Sequence, residues 1–202
     1  MYALVTDGTI TKYFSYPKGF TLGDLQYPKD IFTKWSVEEK EAIGIYEVVF
    51  DDSNKKDEKW YINTNQSFAF ADDTVTASYG TATPKAHADT LFTAQDETDG
   101  KGTEGEVATR GLKYNLIQTL KSQVANELAR TDWYITRNAE KSTAIPSAIS
   151  THRDAVRTKQ ASMETAITNA SNTPALETLY TYTTDSDGVQ SRPLGELPTL
   201  EI

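Results

Sequence analysis

The chain contains no cysteine. Disulfides and thiolate metal sites are excluded, and the redox compartment stays open, because a cysteine-free chain suits reducing and oxidising surroundings alike. Histidine is almost as scarce: His87 and His152 are the only two, they fall in different segments, and neither has a second ligand at helical spacing. A structural role is expected for His152, beside Arg153 on a helix face. Basic residues are outnumbered, with 20 Lys and Arg against 29 Asp and Glu and a net charge of −9. Phosphate contacts need clustered cations, so the balance argues against nucleic-acid binding and against an anionic membrane. Solubility alone accounts for the acidity. No stretch approaches the roughly 20 apolar residues of a membrane span, and residues 1–8 lack the basic flank and apolar run of a secretory signal. Also missing are a Gly-x-Ser-x-Gly elbow, a Walker-type phosphate loop and a Gly-x-Gly-x-x-Gly turn after a strand. Neither enzymatic chemistry nor a cofactor is expected.

What is present begins as β structure. Tyr2-Ala3-Leu4-Val5 and Thr9-Ile10-Thr11-Lys12-Tyr13-Phe14 flank Asp7-Gly8, which is the pattern of a hairpin. Tyr16-Pro17 and Tyr27-Pro28 bound a loop region. Ser36 with Glu39 three residues on forms a capping box, and Gly44 is a stop signal, so a short helix is expected from Val37 to Ile43. Four more short strands follow, around residues 45–50, 59–63, 66–70 and 74–79, the last two flanking Asp72-Asp73. Asp51-Asp52 and Asp72-Asp73 need no catalytic explanation, because turns favour Asp for local backbone hydrogen bonding.

Beyond residue 92 the chain turns polar and then helical. Residues 93–105 are rich in Gly, Asp, Glu and Thr and read as a linker. Leu112, Leu116, Leu120, Val124 and Leu128 recur at four-residue steps with Ile117 beside them, and Ile149, Val156, Met163 and Ile167 form a second stripe after Pro146. Each stripe is too narrow for a helix buried all round, so each requires a partner. The expected fold is α+β. A small antiparallel β domain with one short helix occupies 1–92, an acidic Gly-rich linker 93–105, an antiparallel two-helix hairpin 106–171 and an extended tail 172–202. Leu194, Leu197, Leu200 and Ile202 of that tail suit a groove on a neighbouring subunit.

Two segments invite a functional reading. Residues 95–106 align to a calcium loop, with Gly100 at the turn, Glu106 at the bidentate position and Glu97 and Asp99 as ligands, but Gln95 stands where an Asp is wanted. An acidic solvated linker explains this stretch better, and no metal is expected. The other is Leu128-Ala129-Arg130-Thr131-Asp132-Trp133-Tyr134, between the helical runs. Asp132 can pair with Arg137, Arg153 or Arg157, and Trp133 can stack on a guanidinium across the hairpin. The set Asp132, Trp133, Arg137, Arg153 and Arg157 is expected to stabilise the hairpin or touch a partner. On the stabilising reading, Trp133→Ala lowers the melting temperature markedly.

Thr131-Asp132-Trp133, then Arg137, then His152-Arg153-Asp154-Ala155-Val156-Arg157 resembles a hairpin of tailed bacteriophages. There a Thr-Asp-Trp precedes a Tyr-Arg-x-x-Leu-Arg helix, in proteins described as tail assembly chaperones or as tail-fibre-associated. Here His152 replaces the Tyr and Val156 the Leu. Gln26-Tyr27-Pro28, Trp35-Ser36-Val37-Glu38-Glu39 and Ala42-Ile43-Gly44-Ile45-Tyr46 are similar to a segment of the same phage proteins, and the chain as a whole resembles proteins of marine T4-like phages. The resemblance implies a non-enzymatic virion protein of the tail, fibre or baseplate. Its partners would be phage tail, fibre or capsid proteins, with further copies of itself through the helices, and it would be assembled in the host cytoplasm. The alternative is a transient tail or tail-fibre assembly chaperone absent from the mature virion.

Overall fold

In a computed structural model that describes residues 1–200, the chain divides into two compact units, residues 1–83 and the residues from 84 onward. The architecture is mixed α+β, with a five-stranded sheet in the first unit and most of the helix in the second. The division falls at Thr83/Pro84, ahead of the expected boundary at 92/93.

The first unit opens with β1 (Tyr2–Thr6) and β2 (Thr9–Phe14), an antiparallel hairpin. Asp7 and Gly8 both take positive φ, 51° and 73°, as a two-residue turn of that hand requires. The hairpin of β3 (Phe20–Leu22) and β4 (Leu25–Tyr27) follows, then two short helices, α1 (Ile31–Lys34) and α2 (Val37–Glu41), where the sequence suggested one. The expected capping box is there: Glu39 N donates to Ser36 Oγ at 3.2 Å and Ser36 N to Glu39 Oε2 at 2.8 Å. Gly44, at φ 79°, turns the chain into β5 (Ile45–Asp51), and a Cβ there would collide with the Val5 carbonyl oxygen. After β6 (Tyr61–Ile62) come β7 (Ser67–Ala71) and β8 (Thr74–Ser78), joined through Asp72 and Asp73 at φ 48° and 54°. The short β9 (Thr83–Pro84) spans the boundary.

Strand order in the main sheet is β2-β1-β5-β8-β7. The sheet is not wholly antiparallel, as the sequence suggested, because β5 and β8 run parallel. The cause lies in the β7–β8 hairpin. Val75 and Ala77 of β8 are fully buried, whereas β7 alternates half-buried and exposed positions, so β8 takes the inner place beside β5 and β7 the edge. The long connection after β5 leaves that choice free, since no tight turn fixes the direction.

The sheet curls until its edges approach, with the Tyr13 and Phe68 rings 4.8 Å apart. Its two faces carry separate cores. Ala3, Val5, Val48, Val75 and Ala77 fill the inside of the curl, with Tyr46 and Phe70 packed against them. Leu4, Phe14, Phe20, Ile31, Phe32 and Ile45 fill the other, beneath the two helices. The alternation along β1 sends Ala3 and Val5 one way and Leu4 the other, as a strand with both faces covered requires.

The second unit starts with β10 (Thr90–Leu91), α3 (Ala94–Thr98) and β11 (Val107–Thr109), and β10 pairs with β11. The expected linker at 93–105 is thus structured, and α3 carries its own capping box between Thr93 and Asp96. Four further helices follow: α4 (Leu112–Ala129), α5 (Asp132–Lys141), α6 (Ser147–Asn169) and α7 (Thr173–Tyr180). They are more than the two-helix hairpin read from the sequence. α4 and α6 lie antiparallel: Lys113 at the start of α4 donates to the Thr168 carbonyl near the end of α6, while Glu127 near the end of α4 meets His152 near the start of α6. Leu116, Leu120 and Val124 are buried on α4, and Ile149, Val156, Met163 and Ile167 on α6, so both predicted stripes are covered within one chain.

The expected tail is also partly structured. Besides α7 it holds a hairpin of β12 (Thr183–Thr184) and β13 (Gln190–Ser191). Leu194 is buried in its own chain, with its N–H donating to the Leu179 carbonyl, rather than free for a neighbour's groove. Ile202 lies outside the described residues.

Candidate functional site

The junction of α4, α5 and α6 gathers most of the residues singled out in the sequence. α4 ends at Ala129 and α5 begins at Asp132, with Arg130 and Thr131 between them, Thr131 at φ −119° and ψ 4°. A helix end leaves its last carbonyls without partners, and a chain that bends there must find donors for them. Arg153, reaching over from α6, supplies one. Its Nη1 donates to the Leu128 carbonyl at 2.8 Å and to Thr131 Oγ1 at 2.7 Å, and lies 2.9 Å from Asp132 Oδ1. Thr131, buried to 1% exposure, donates its own hydroxyl to the same Leu128 carbonyl at 3.0 Å. A guanidinium suits this place because it stays charged when buried and offers several donors in one plane. It also opposes the partial negative charge at the C-terminal end of α4.

A second pair braces the same corner. His152 Nε2 lies 3.1 Å from Glu127 Oε1, and Arg130 pairs with Glu127 at 3.1 Å. Burial alone pushes the Glu127 carboxyl up. The hydrogen bonds and charges of Arg130 and His152 outweigh it and hold the carboxyl below the usual glutamate range.

Trp133 does not stack across the hairpin. It lies on α5 with 52% of its surface exposed, and the guanidinium above its ring, at 4.6 Å, is that of Arg137 one turn along the same helix. Arg137 also lies 5.5 Å from the Tyr134 ring, and the two rings are 3.8 Å apart. The exposed stack can therefore be truncated with little loss of core, contrary to the marked fall in melting temperature expected of Trp133→Ala. Arg157 does not join the group, being half-exposed and paired with Asp154 at 3.5 Å on its own helix. Of the five expected residues, Asp132 and Arg153 form one contact, Trp133 and Arg137 another, and Arg157 stands apart. Sequence reasoning missed Thr131 and the Leu128 carbonyl. Neither leaves a local signal, since a buried Thr between two helices acquires its role only from Arg153, distant in the chain.

Other places where chemistry could reside are slight. A cavity of about 170 Å³ in the first unit is lined by Lys40, Glu41, Tyr46, Glu47 and Asp73 among others. Burial, then the charges of Asp73 and Glu41, push the Tyr46 hydroxyl above its usual value. Ligand pockets commonly run to roughly 300–1,000 Å³, so this one has room for a side chain rather than for a cofactor. In the segment aligned to a calcium loop, the carboxylates are engaged otherwise. Asp96 caps α3 and pairs with Lys101 at 3.1 Å, Asp99 pairs with Lys101 at 3.0 Å, and Glu97 accepts from the Glu104 N–H at 3.1 Å. Among the described residues, no three His, Asp or Glu side chains come together as a metal site, and no helix is long and apolar enough to cross a membrane.

No family model matches the chain, and no curated protein or solved structure matches it significantly. The functional reading therefore rests on the residues themselves.

Proposed function

We propose that this chain is a non-enzymatic structural protein of a tailed-phage virion, associated with the tail, fibre or baseplate and acting by protein–protein contact. The observation that carries the contact mode is the exposed Trp133–Arg137 stack, held on a helix whose base is fixed by Arg153. Trp, Tyr and Arg are the side chains that most often dominate binding energy at interfaces. A large aromatic left half-exposed and immobilised by a cation has already lost much of the freedom that binding would take from it. The phage setting rests on the resemblance carried by Thr131-Asp132-Trp133 and by residues 26–46. Because the apolar stripes of α4 and α6 are spent on each other, self-association through the helices would use their outer faces.

Mass spectrometry of purified particles tests this reading. Presence at stoichiometric level supports it. Absence from the particle, with the protein abundant in infected cells, overturns it in favour of a transient tail or tail-fibre assembly chaperone. Hydrolysis of a host polysaccharide by the purified chain would overturn the non-enzymatic part.

A further inference from the structure

The chain has six arginines, all in the second unit. Five of them pair with a carboxylate: Arg110 with Asp89, Arg130 with Glu127, Arg153 with Asp132, Arg157 with Asp154 and Arg192 with Glu196. Arg137 is the exception. Among the described residues no carboxylate pairs with it, although Glu140 stands one turn on along α5, and its Nε is buried with no hydrogen-bond partner. What holds Arg137 instead is stacking on Trp133 and Tyr134. Stacking engages the face of a guanidinium and leaves its Nη N–H groups to meet an acceptor. The immediate neighbours of Arg137 are aromatic, with Trp133 exposed and Tyr134 half-buried.

Resting on the virion-contact reading, we propose that the α5 surface of Trp133, Tyr134 and Arg137 receives an apolar segment of a partner protein carrying a single Asp or Glu, whose carboxylate accepts from the Nη N–H groups of Arg137. The chemistry selects this occupant in two ways. A guanidinium stacked on two aromatic rings and paired with no carboxylate calls for one planar anion with apolar flanks. The net charge of −9 repels a polyacidic partner at longer range, so one carboxylate fits better than many. The free apolar side chains of the segment would cover Trp133 and Tyr134, and excluding water there strengthens the ion pair.

The test uses the full chain and an array of synthetic apolar peptides rich in Leu and Ile, each with a single Glu, paired with the same peptides carrying Gln. Binding is read by fluorescence polarisation. A charged hydrogen bond contributes roughly 1.5–3 kcal/mol, so Glu peptides that bind should do so about tenfold tighter or more than their Gln counterparts. Arg137→Gln should erase that preference and Arg137→Lys should weaken it, because an ammonium keeps the charge but neither the fork nor the stack. Arg157→Gln, which removes an already paired surface arginine, should leave it intact. Far-UV circular dichroism of each variant confirms that α5 is retained. An array without any Glu preference overturns the proposal, as does a preference that survives Arg137→Gln. Particle mass spectrometry is independent of this outcome: Arg137-dependent Glu selectivity in a protein absent from particles would overturn the virion reading and leave the carboxylate site standing.

Discussion

The two units of this chain hold themselves together by different means. The first contains no arginine and builds its core on aromatics: Phe14, Phe20 and Phe32 pack ring on ring at 4.9–6.1 Å beneath the curled sheet, although Tyr16 and Phe50 stay exposed. Its cations cover rings, as Lys12 does over Phe14 and Lys40 over Tyr2. The second unit has narrow apolar stripes and a corner fixed by a buried guanidinium, and it leaves Trp133 outside. A sheet with both faces covered buries enough apolar surface to need no polar fastener. Helices with narrow stripes meet along a seam, and the bends between them need explicit hydrogen bonds.

The contrast can be broken by mutation, and the largest effect belongs to the first unit. Phe14→Ala removes a fully buried ring, and truncations of this kind cost about 3–5 kcal/mol. Urea unfolding followed by hydrogen exchange should show the loss of protection concentrated in residues 1–83. Protection lost equally throughout would erase the distinction between the units. Next comes Arg153→Met, which fills the space, takes one donor from the Leu128 carbonyl and leaves the buried Thr131 hydroxyl oxygen without its donor. Since Asp132 is largely exposed and can be rehydrated, a cost of about 2 kcal/mol is expected, with amide exchange rising first around residues 128–134. If the melting curve of Arg153→Met matched wild type, the polar corner would not be a fastener. Trp133→Ala should cost less than about 1 kcal/mol because half of the ring is already in water. A loss as large as that for Phe14→Ala would make the second unit resemble the first.

The smallest effect concerns pH. The Asp96 carboxyl, held by the Thr93 N–H and hydroxyl and then by Lys101, is lowered to about 2. Its value in the folded chain lies below that of a free aspartate near 3.9. The contribution to α3 is therefore complete above the free-aspartate range and disappears as pH falls toward about 2. Carboxyl-carbon NMR titration should place Asp96 there, and Thr93→Ala should move it up. An unshifted Asp96 would return residues 93–105 to the open linker their composition suggests.

The elements that could be read from the sequence share a local cause. The Asp7-Gly8 turn, the Ser36/Glu39 box and the stripes on α4 and α6 all depend on residues within a turn or two of one another. The α3 box was equally local, but Thr93 and Asp96 lie among residues whose composition reads as linker. Asn172 and Pro174 mark the start of α7 in the same way: Asn172 Oδ1 accepts from the Ala175 N–H at 2.9 Å, and Pro174 stands in the first turn.

The sequence by itself determined where the turns fall, where two long helices run and which faces of them are apolar, because turn chemistry and helical period act within a few residues. Tertiary structure alone decided that β8 lies parallel to β5, that Arg153 rather than Arg137 or Arg157 takes Asp132, and that Trp133 stays at the surface. Those outcomes depend on which buried faces meet across tens of residues, and no local pattern encodes them. Arg137 was in the sequence from the start. Its stack on Trp133 is a contact one turn along the same helix, but that it pairs with no carboxylate among the described residues, while every other arginine finds one, emerged only when the helices came together.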